Sequence, residues 1–442
     1  MKITSIKNKI GYTLLTSNIF KNKKLSVLVY KYFLIGMFAR LIFLPFFFQR
    51  DLLSTYQRAA DTVFNGNFGS DFQQILTNII HSIYLFIIRS IVPVVNEFSE
   101  ILLQEDTWTS WLLFNSNSRV YTVLALFKIL YLLFDLGCMF LILRLSFDNE
   151  PENKVRVFKF WMFSPLVIFV PYIFARHDII GIFFTFVALF FAKKNRKYWS
   201  IIILALAIAV RFFPIMILPL LILYLAKSKK DYIILSSIGF LGLAGVEGFS
   251  RFYFGKSVLL SLLNTEHFNF ILSSSIELIS HDRIFIFIAV YVIIILSFLH
   301  IKKKSFDLLL NYGAIVFLTF ISLCYFHPQY VLWTVPFLVF AFIRRKSLIA
   351  YHWIQFALLM IILIYWGDQV TKFVLAALDI RFFIYLTGLI PIINRFYDPA
   401  KFVNIFRSIF TGVSLWMVYL IYKDNKKLIS DSLKPDSKVN GD

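Results

Sequence analysis

FQRDLLSTYQRAA, residues Phe48 to Ala60, is the stretch that decides the fold, because it directly follows a long apolar run. A run of about twenty apolar residues is long enough for a helix to cross a bilayer. Arg50 and Asp51 are therefore predicted to lie where the first membrane helix ends. Ionisable side chains at membrane depth are costly and usually functional. A carboxylate at this position can stay ionised while protein shelters it, so we expect Asp51 to be central to any chemistry.

The composition is that of a polytopic membrane protein. Of the 442 residues, 59% are hydrophobic and 19% are aromatic, whereas soluble domains average about 45–50% apolar residues. The formal charge of +20 indicates cytoplasmic loops and contact with anionic lipid headgroups. No Gly-rich nucleotide loop or zinc pattern is evident, so we expect membrane lipids and not nucleic acid as partners. Cys138 and Cys324 lie in apolar runs, which does not imply a disulfide framework.

Basic clusters between the apolar runs predict the topology. We predict an all-α integral membrane protein of the cell membrane, with multiple passes, both termini cytoplasmic and about twelve transmembrane or re-entrant helices. The segment 198–226 is too short for two full crossings, so we expect two partial helices with Arg211 and Pro214 at their turn. The predicted spans and hairpins are 29–49, 119–146, 158–192, 198–226, 231–250, 284–301, 306–343, 347–366 and 404–422.

The chain is predicted to have four parts. These are a cytoplasmic basic N-terminus (1–28), a catalytic membrane module (29–345), C-terminal membrane helices (346–422) and a cytoplasmic tail (423–442). An external first loop, 50–118, follows the first span. Its apolar stretch from Ile75 to Val95 is either a further span or an interfacial helix. We favour the interfacial helix, because a span there would invert everything after it.

The predicted topology gathers polar residues on the outer face. They are Asp51, the Arg176–His177–Asp178 tip, Arg211 and the FHPQY tip from Phe326 to Tyr330. A carboxylate can take a proton from an acceptor hydroxyl as general base. Guanidinium groups can hold a phosphate through charge-assisted, often bidentate hydrogen bonds. Since a phosphate leaves without protonation, one carboxylate suffices, unlike the acid–base pair of most glycosidases. The set predicts a single displacement with inversion at a sugar.

Four segments resemble the GT-C superfamily of membrane glycosyltransferases, which use polyprenyl-phosphate sugars. The chain is most similar to the bacterial mannosyltransferase-like branch related to the GPI mannosyltransferase I catalytic subunit. The segments are RDLLSTYQRAADTVFNG (Arg50 to Gly66), FKILYLLFDLGCMFLILRL (Phe127 to Leu145), the run from Phe163 to Leu223, and FHPQYVLWTVPFL (Phe326 to Leu338). The resemblance implies a GT-C-like fold, an external active site and the Asp after span one, here Asp51, as catalytic base. No family motif is evident beyond about residue 345.

The expected function is transfer of one hexose, such as mannose, from a polyprenyl-phosphate donor to a hydroxyl on a glycan or glycolipid. Asp51 is the expected catalytic base, with Asp61 as the main substitute. The lipid-linked sugar is a substrate, and we expect no other cofactor. A metal is not expected either, because a DxD motif is absent from the first loop. The residues expected to bind substrate are Arg50, Tyr56, Arg176, His177, Asp178, Arg211, His327 and Gln329.

Structural roles compete with each of these assignments. Asp51 could simply pair with Arg50, and Asp178 could pair with a neighbouring cation or with Arg211. His327 could cap a helix instead of binding phosphate. Asp135, seven residues after Lys128 on the same helix face, is interpreted as a buried partner for a cation such as Arg40.

Two other functions fit the same composition. A transporter or flippase of lipid-linked sugars would favour paired, roughly equal halves, and no clear two-fold repeat is evident. A polysaccharide polymerase or ligase shares the substrate type. Its expected large external loop with paired arginines has a counterpart at 251–283, which contains Arg251 and Arg283.

Overall fold

The computed structural model describes residues 23–68, 74–104, 106–146, 151–264, 266–279 and 281–433. About 81% of the chain is helical. Most of the predicted N-terminal cytoplasmic segment and half of the predicted tail lie outside the described residues.

Helices of very different lengths make up the first half of the chain. In order, they are α1 (Lys23–Phe43), α2 (Asp51–Asn65), α3 (Ile75–Ile91), α4 (Val94–Leu102), α5 (Thr107–Ser116), α6 (Val120–Leu145), α7 (Pro151–Phe163), α8 (Pro165–Ile168), a π-helical turn (Phe169–Ile173), α9 (Asp178–Lys193), α10 (Lys197–Val210), a 3₁₀ turn (Phe213–Ile217) and α11 (Leu218–Leu225).

In the described residues, the second half contains further helices and a two-stranded sheet. In order, they are α12 (Lys229–Phe254), α13 (Val258–Asn264), α14 (Glu266–Leu272), β1 (Ser275–Ile279), β2 (Asp282–Phe285), α15 (Ile286–Leu299), α16 (Phe306–Leu323), a 3₁₀ turn (Pro328–Thr334), α17 (Val335–Arg344), α18 (Ser347–Ile362), 3₁₀ turns (Leu363–Trp366 and Phe373–Leu375) around α19 (Asp368–Thr371), α20 (Ile380–Tyr385), α21 (Leu389–Ile393) and α22 (Pro399–Leu433).

Six helices in the described residues are long and apolar enough to cross a membrane: α1, α6, α12, α16, α18 with its 3₁₀ extension, and α22. The count becomes seven if α7 and the α8–π segment, which meet at 50°, form one broken span. The helical membrane architecture is thus confirmed in outline. The predicted total of about twelve segments is reached only if shorter helices, such as the 14-residue α15, also enter the membrane.

One short hairpin of strands interrupts the otherwise helical chain of the described residues. Within the predicted loop 251–283, β1 and β2 form an antiparallel hairpin in which Ile276 faces Ile284. Both strands are largely exposed. The segment Ser275–Ile279 alternates β-branched or apolar residues with polar ones only briefly, so its period-2 pattern was too short to identify.

The first span also ends earlier than predicted. Helix α1 stops at Phe43, and Pro45 follows after one residue. A residue before proline is pushed out of the helical region. The buried Lys128 ammonium then donates to the carbonyls of Phe43 (2.9 Å) and Phe47 (2.7 Å). These contacts satisfy carbonyls that an uninterrupted helix would have used, and they fix the chain leading to Asp51.

Contacts of charged side chains bring several of the basic loops together, at what is called here the basic end. Lys197 at the start of α10 pairs with Asp231 at the start of α12 (2.5 Å). Arg345 after α17 donates to Asp424 in α22 (Nε to Oδ2, 2.8 Å). Lys193 at the end of α9 donates to the Leu145 carbonyl at the end of α6 (3.1 Å). This grouping is what the loop charges predict.

The predicted division at residue 345 does not correspond to a gap in the packing. Helix α22 lies along α16 and α18. Asn311 of α16 donates to Asn425 of α22 (2.7 Å), and Gln355 of α18 donates to Ser414 of α22 (2.7 Å). The C-terminal helices are therefore packed directly against the predicted catalytic module.

A buried polar network ties the N-terminal helices together. Arg40 of α1 donates to Asp135 of α6 (2.6 Å), as the sequence predicts. The Trp161 indole and the Tyr172 hydroxyl also donate to that carboxylate, each at 2.7 Å. All four side chains are buried. The network joins α1, α6, α7 and the π-helical turn, and so supports the chain segments that lead to Asp51 and to the Arg176–His177–Asp178 tip.

Candidate active site

An irregular backbone presents the Arg176–His177–Asp178 tip. The π-helical turn Phe169–Ile173 precedes it, and Ala175 then adopts a left-handed conformation with φ of 59°. That conformation costs an L-residue roughly 1–2 kcal/mol, and π-helical turns are frequent at functional sites. The Gln49 N–H donates to the Phe174 carbonyl (3.3 Å). The tip is therefore held beside the chain that enters α2 at Asp51.

Asp51 forms an ion pair with Arg176. The side chain of Asp51 is 49% exposed, whereas that of Arg176 is 9% exposed. Arg50 turns away and donates to the hydroxyl of Thr107, so Asp51 is not paired with its neighbour in the chain. The Arg176 Nε atom is buried and has no hydrogen-bond partner among the described residues. Arg176 thus retains a donor at the site.

Asp178 and Arg211 form a second ion pair in the same cluster. Asp178 is fully buried, and its Oδ1 accepts from Arg211 Nε (3.1 Å) and from the Trp333 indole (2.9 Å). Arg211 also donates to Gln74 Oε1 (3.1 Å), and His177 Nε2 lies 3.0 Å from that same oxygen. The turn between α10 and the 3₁₀ segment occurs at Arg211, as the sequence predicts. This Asp178–Arg211 pair is the structural role that competes with substrate binding for both Asp178 and Arg211.

The FHPQY tip completes the cluster. The Tyr330 ring lies 5.8 Å from the Arg211 guanidinium carbon, and the His327 ring lies 5.5 Å from the Tyr330 ring. His327 and Arg211 are both close enough to attract the Asp51 carboxylate. The residues from three separate hairpin turns are therefore brought together around Asp51. Gln329 is buried in the same 3₁₀ turn.

Two site residues were not identified from the sequence. Trp333 lies within the quoted segment from Phe326 to Leu338, but nothing there distinguished it from a packing tryptophan. Gln74 precedes an apolar helix and offered no signal at all. Their roles depend on long-range contacts, with Asp178 and Arg211 respectively.

Tyr56 was expected to contact substrate, and the structure corrects that expectation. Its side chain is fully buried. The hydroxyl donates to the Phe127 carbonyl (2.6 Å), and the ring stacks on the Phe127 ring with centroids 3.7 Å apart. Tyr56 faces the inside of the α2–α6 contact because it lies on the apolar side of the strongly amphipathic α2. It is therefore a packing residue.

Asp61 occupies a different environment from Asp51. Its Oδ1 accepts from Asn65 (2.8 Å) and from Asn67 (3.1 Å) at the exposed end of α2. Asp61 therefore stabilises the C-terminal end of α2. Within the described residues, no group of three or more His, Cys, Asp or Glu side chains is arranged to hold a metal ion.

The neighbours of Asp51 have opposing effects on its acidity. Burial raises the pKa of Asp51, but attraction to Arg176, hydrogen bonding with Gln49 and attraction to His327 and Arg211 together outweigh it. The pKa of this carboxyl therefore lies below its ordinary value of 3.8. Asp51 is ionised at neutral pH.

This lowered pKa predicts the pH dependence of any reaction that needs the Asp51 carboxylate. Lowering the pKa keeps the ionised form populated to more acidic pH, so kcat/KM should fall only below about pH 4. Arg176→Gln removes the strongest attraction and should move that acidic fall to higher pH. The measurement is kcat/KM against pH for both proteins. An acidic limb at the same pH in both would contradict the assignment.

An apolar cavity of about 330 Å³ lies next to this cluster, between α3, α10 and α12. Ile75 and Ala209 are among its lining residues. Ile75 directly follows Gln74 in the chain, and Ala209 lies two residues before Arg211. Phe249 and Gly245 of α12 line its other wall. The Thr77 hydroxyl donates to the Val210 carbonyl (2.8 Å) and fixes α3 against α10 at this point. A polar cluster and an apolar cavity are thus adjacent.

No protein-family model matches this sequence, and no curated protein matches it. The interpretation of the site therefore depends on its geometry and chemistry.

Proposed function

We propose that this chain is a membrane glycosyltransferase of GT-C type. It moves one hexose, such as mannose, from a polyprenyl phosphate to a hydroxyl of a glycan or glycolipid on the outer face of the cell membrane. The observation that carries the proposal is the half-exposed Asp51 carboxylate among Arg176, Arg211 and His327, beside an apolar cavity.

Exposure favours Asp51 over Asp178 as the general base. A general base must come within hydrogen-bonding reach of the proton that it removes. Asp51 is 49% exposed, whereas the Asp178 side chain is 0% exposed. One Asp178 oxygen already accepts from both Arg211 and Trp333. Asp178 is therefore suited to orient Arg211, and Asp51 is suited to meet an acceptor.

The proposed reaction is a single displacement at the anomeric carbon of the sugar. The acceptor oxygen forms the new bond to that carbon, and its proton passes to the Asp51 carboxylate. The bond from carbon to phosphate oxygen breaks with its electron pair, so polyprenyl phosphate leaves as an anion. Arg176 and Arg211 would stabilise the negative charge on that phosphate. Configuration at the anomeric carbon inverts, because attack and departure occur on opposite faces.

The adjacent apolar cavity supports a lipid-linked donor. Arg211 interacts with Gln74, and the cavity begins at Ile75. A phosphate held by Arg211 would thus lie at the mouth of a space suited to isoprenoid units. The isoprenoid chain already lies in apolar lipid before it binds, so van der Waals packing against the cavity wall, and not the hydrophobic effect, would favour binding there.

Filling this cavity should weaken donor binding selectively. Gly245→Leu places a side chain where a Cβ would meet nothing within 4 Å, on a wall of the cavity. Leucine is also a better helix former than glycine, so we expect the protein to fold. The KM for the lipid donor should rise by about tenfold or more, with the KM for acceptor nearly unchanged. A donor-saturation series measures both constants.

Gly248→Leu is the matched control for this test. Gly248 lies on the same helix, also with nothing within 4 Å of a Cβ, but outside the cavity lining. It should leave both KM values unchanged. Equal effects of the two substitutions would contradict the proposed lipid site. Gly242 is unsuitable for the comparison, because a Cβ there would lie 2.4 Å from the Ala205 carbonyl oxygen.

The two rival functions make different predictions. The arginines that suggested a polymerase or ligase are already paired, Arg251 with Glu247 (2.5 Å) and Arg283 with Glu277 (3.4 Å). A flippase would move lipid without making a bond. Purified protein incubated with radiolabelled polyprenyl-phosphate mannose or glucose separates these cases. Single-sugar transfer supports the proposal, whereas repeated addition or lipid movement without a new bond overturns it.

A further inference from the structure

A second cavity lies at the basic end, and none of the residues around Asp51 lines it. It has a volume of about 350 Å³ and is formed by α7, the end of α17 and the start of α18. Its apolar wall includes Phe160, Phe342 and Trp353. The neighbouring Arg345 pairs with Asp424, which fixes the cavity to the end where the basic loops meet. The proposed glycosyltransfer uses none of these residues.

Three cations line this cavity: Arg156, Lys159 and Lys346. All three are exposed, and no carboxylate is among the lining residues. Arg156 approaches Glu152 at 4.0 Å, but the two side chains are 51% and 75% exposed. Such a solvated pair contributes little. Lys159 Nζ lies 5.2 Å from the Tyr32 ring centre. The cavity thus combines three cations, one of them in a solvated ion pair, with an aromatic and aliphatic wall.

We propose that this cavity binds an anionic phospholipid of the leaflet at the basic end. Arg156, Lys159 and Lys346 would hold the headgroup phosphate, and an acyl chain would lie against Phe160 and Phe342. Basic pockets between membrane helices at the cytoplasmic side are suited to anionic headgroups. Trp353 is 49% exposed, and tryptophan is enriched at the level of lipid headgroups. A small soluble anion would use the cations but leave the apolar wall in contact with water.

Quenching of Trp353 fluorescence tests this proposal directly. The full-length protein is placed in nanodiscs containing phosphatidylcholine plus a small fraction of phosphatidylglycerol brominated on its acyl chains. The signal of Trp353 is the difference between the wild type and Trp353→Phe. We expect brominated phosphatidylglycerol to quench it at a much lower mole fraction than brominated phosphatidylcholine. Equal quenching by the two lipids would overturn the proposal.

Two triple variants separate a specific site from general attraction. Arg156→Gln/Lys159→Gln/Lys346→Gln should weaken the phosphatidylglycerol preference on the order of a hundredfold, since each cation contributes about 1 kcal/mol. Lys194→Gln/Lys302→Gln/Lys303→Gln removes the same charge from exposed positions outside the cavity lining and should leave the preference intact. Equal loss in both variants would show a diffuse surface effect and overturn the site. Displacement of the lipid by millimolar glycerol phosphate would also overturn it, in favour of a soluble anion.

Discussion

Asp51→Asn is expected to lower the rate of sugar transfer by about 10²- to 10⁴-fold, the usual contribution of a general base. Asparagine keeps the size of the side chain and can still accept a hydrogen bond from Arg176, but it cannot take the acceptor proton. Because Asp51 is half exposed at the start of α2, the substitution should leave membrane insertion and helix content unchanged. Initial rates at saturating donor and acceptor, with circular dichroism of the purified variant, measure both.

Asp61→Asn is the control from the same helix. Within the described residues, the Asp61 carboxylate accepts side-chain hydrogen bonds from Asn65 and Asn67 alone. This variant should therefore retain nearly full activity. If Asp51→Asn remained active while Asp61→Asn lost activity, the base would be Asp61. If both remained active, the proposed mechanism would be wrong.

Asp51→Asn should lose sugar transfer without losing donor binding. Formation of the new bond requires a proton acceptor, whereas binding of the donor does not. The variant should therefore still bind donor, with a KM close to that of the wild type. By contrast, Arg211→Ala would be hard to interpret, because it leaves the fully buried Asp178 without its countercharge. Such a variant could lose activity by unfolding.

The sequence predicted most of the features that depend on charge and hydropathy. Span 119–146 corresponds to α6 (Val120–Leu145), and the partial helices with Arg211 at their turn are α10 and the segment after it. The Arg40–Asp135 pair was also predicted. These succeed because a charged residue in an apolar run must either find a partner or lie at the surface. This requirement limits which residues can lie next to the charged side chain, so the pairing can be inferred from the sequence alone.

Features set by long-range packing could not be predicted. The three carbonyls that Lys128 contacts, on Phe43, Phe47 and Tyr172, carry no side-chain signal. The left-handed conformation of Ala175 likewise has no signal in the sequence, because alanine ordinarily favours helices. Tyr56 matches a family-like pattern, yet it lies on the buried side of the amphipathic helix α2 and packs in the core. For Lys128 and Tyr56 the hydrogen-bond acceptors are backbone carbonyls more than 40 residues away.

Asp135→Asn is expected to cost about 3–5 kcal/mol of stability, the largest effect on folding that we predict. Asp135 and Arg40 are both completely buried. The asparagine leaves the Arg40 guanidinium charged, desolvated and without a countercharge. Trp161 and Tyr172 also lose a charged acceptor, and hydrogen bonds to charged groups are the stronger kind. The midpoint temperature of unfolding in detergent should fall clearly below that of the wild type.

Two further variants identify the cause of this loss. Arg40→Met/Asp135→Asn removes the unpaired charge, so it should recover most of the stability that Asp135→Asn loses. Asp424→Asn breaks a pair whose side chains are 28% and 22% exposed, and water should compensate for most of that loss. A double variant less stable than Asp135→Asn would contradict the argument. Because Tyr172 belongs to the π-helical turn before Arg176, Asp135→Asn should also loosen the Asp51–Arg176 pair, and lost stability should therefore be accompanied by lost activity.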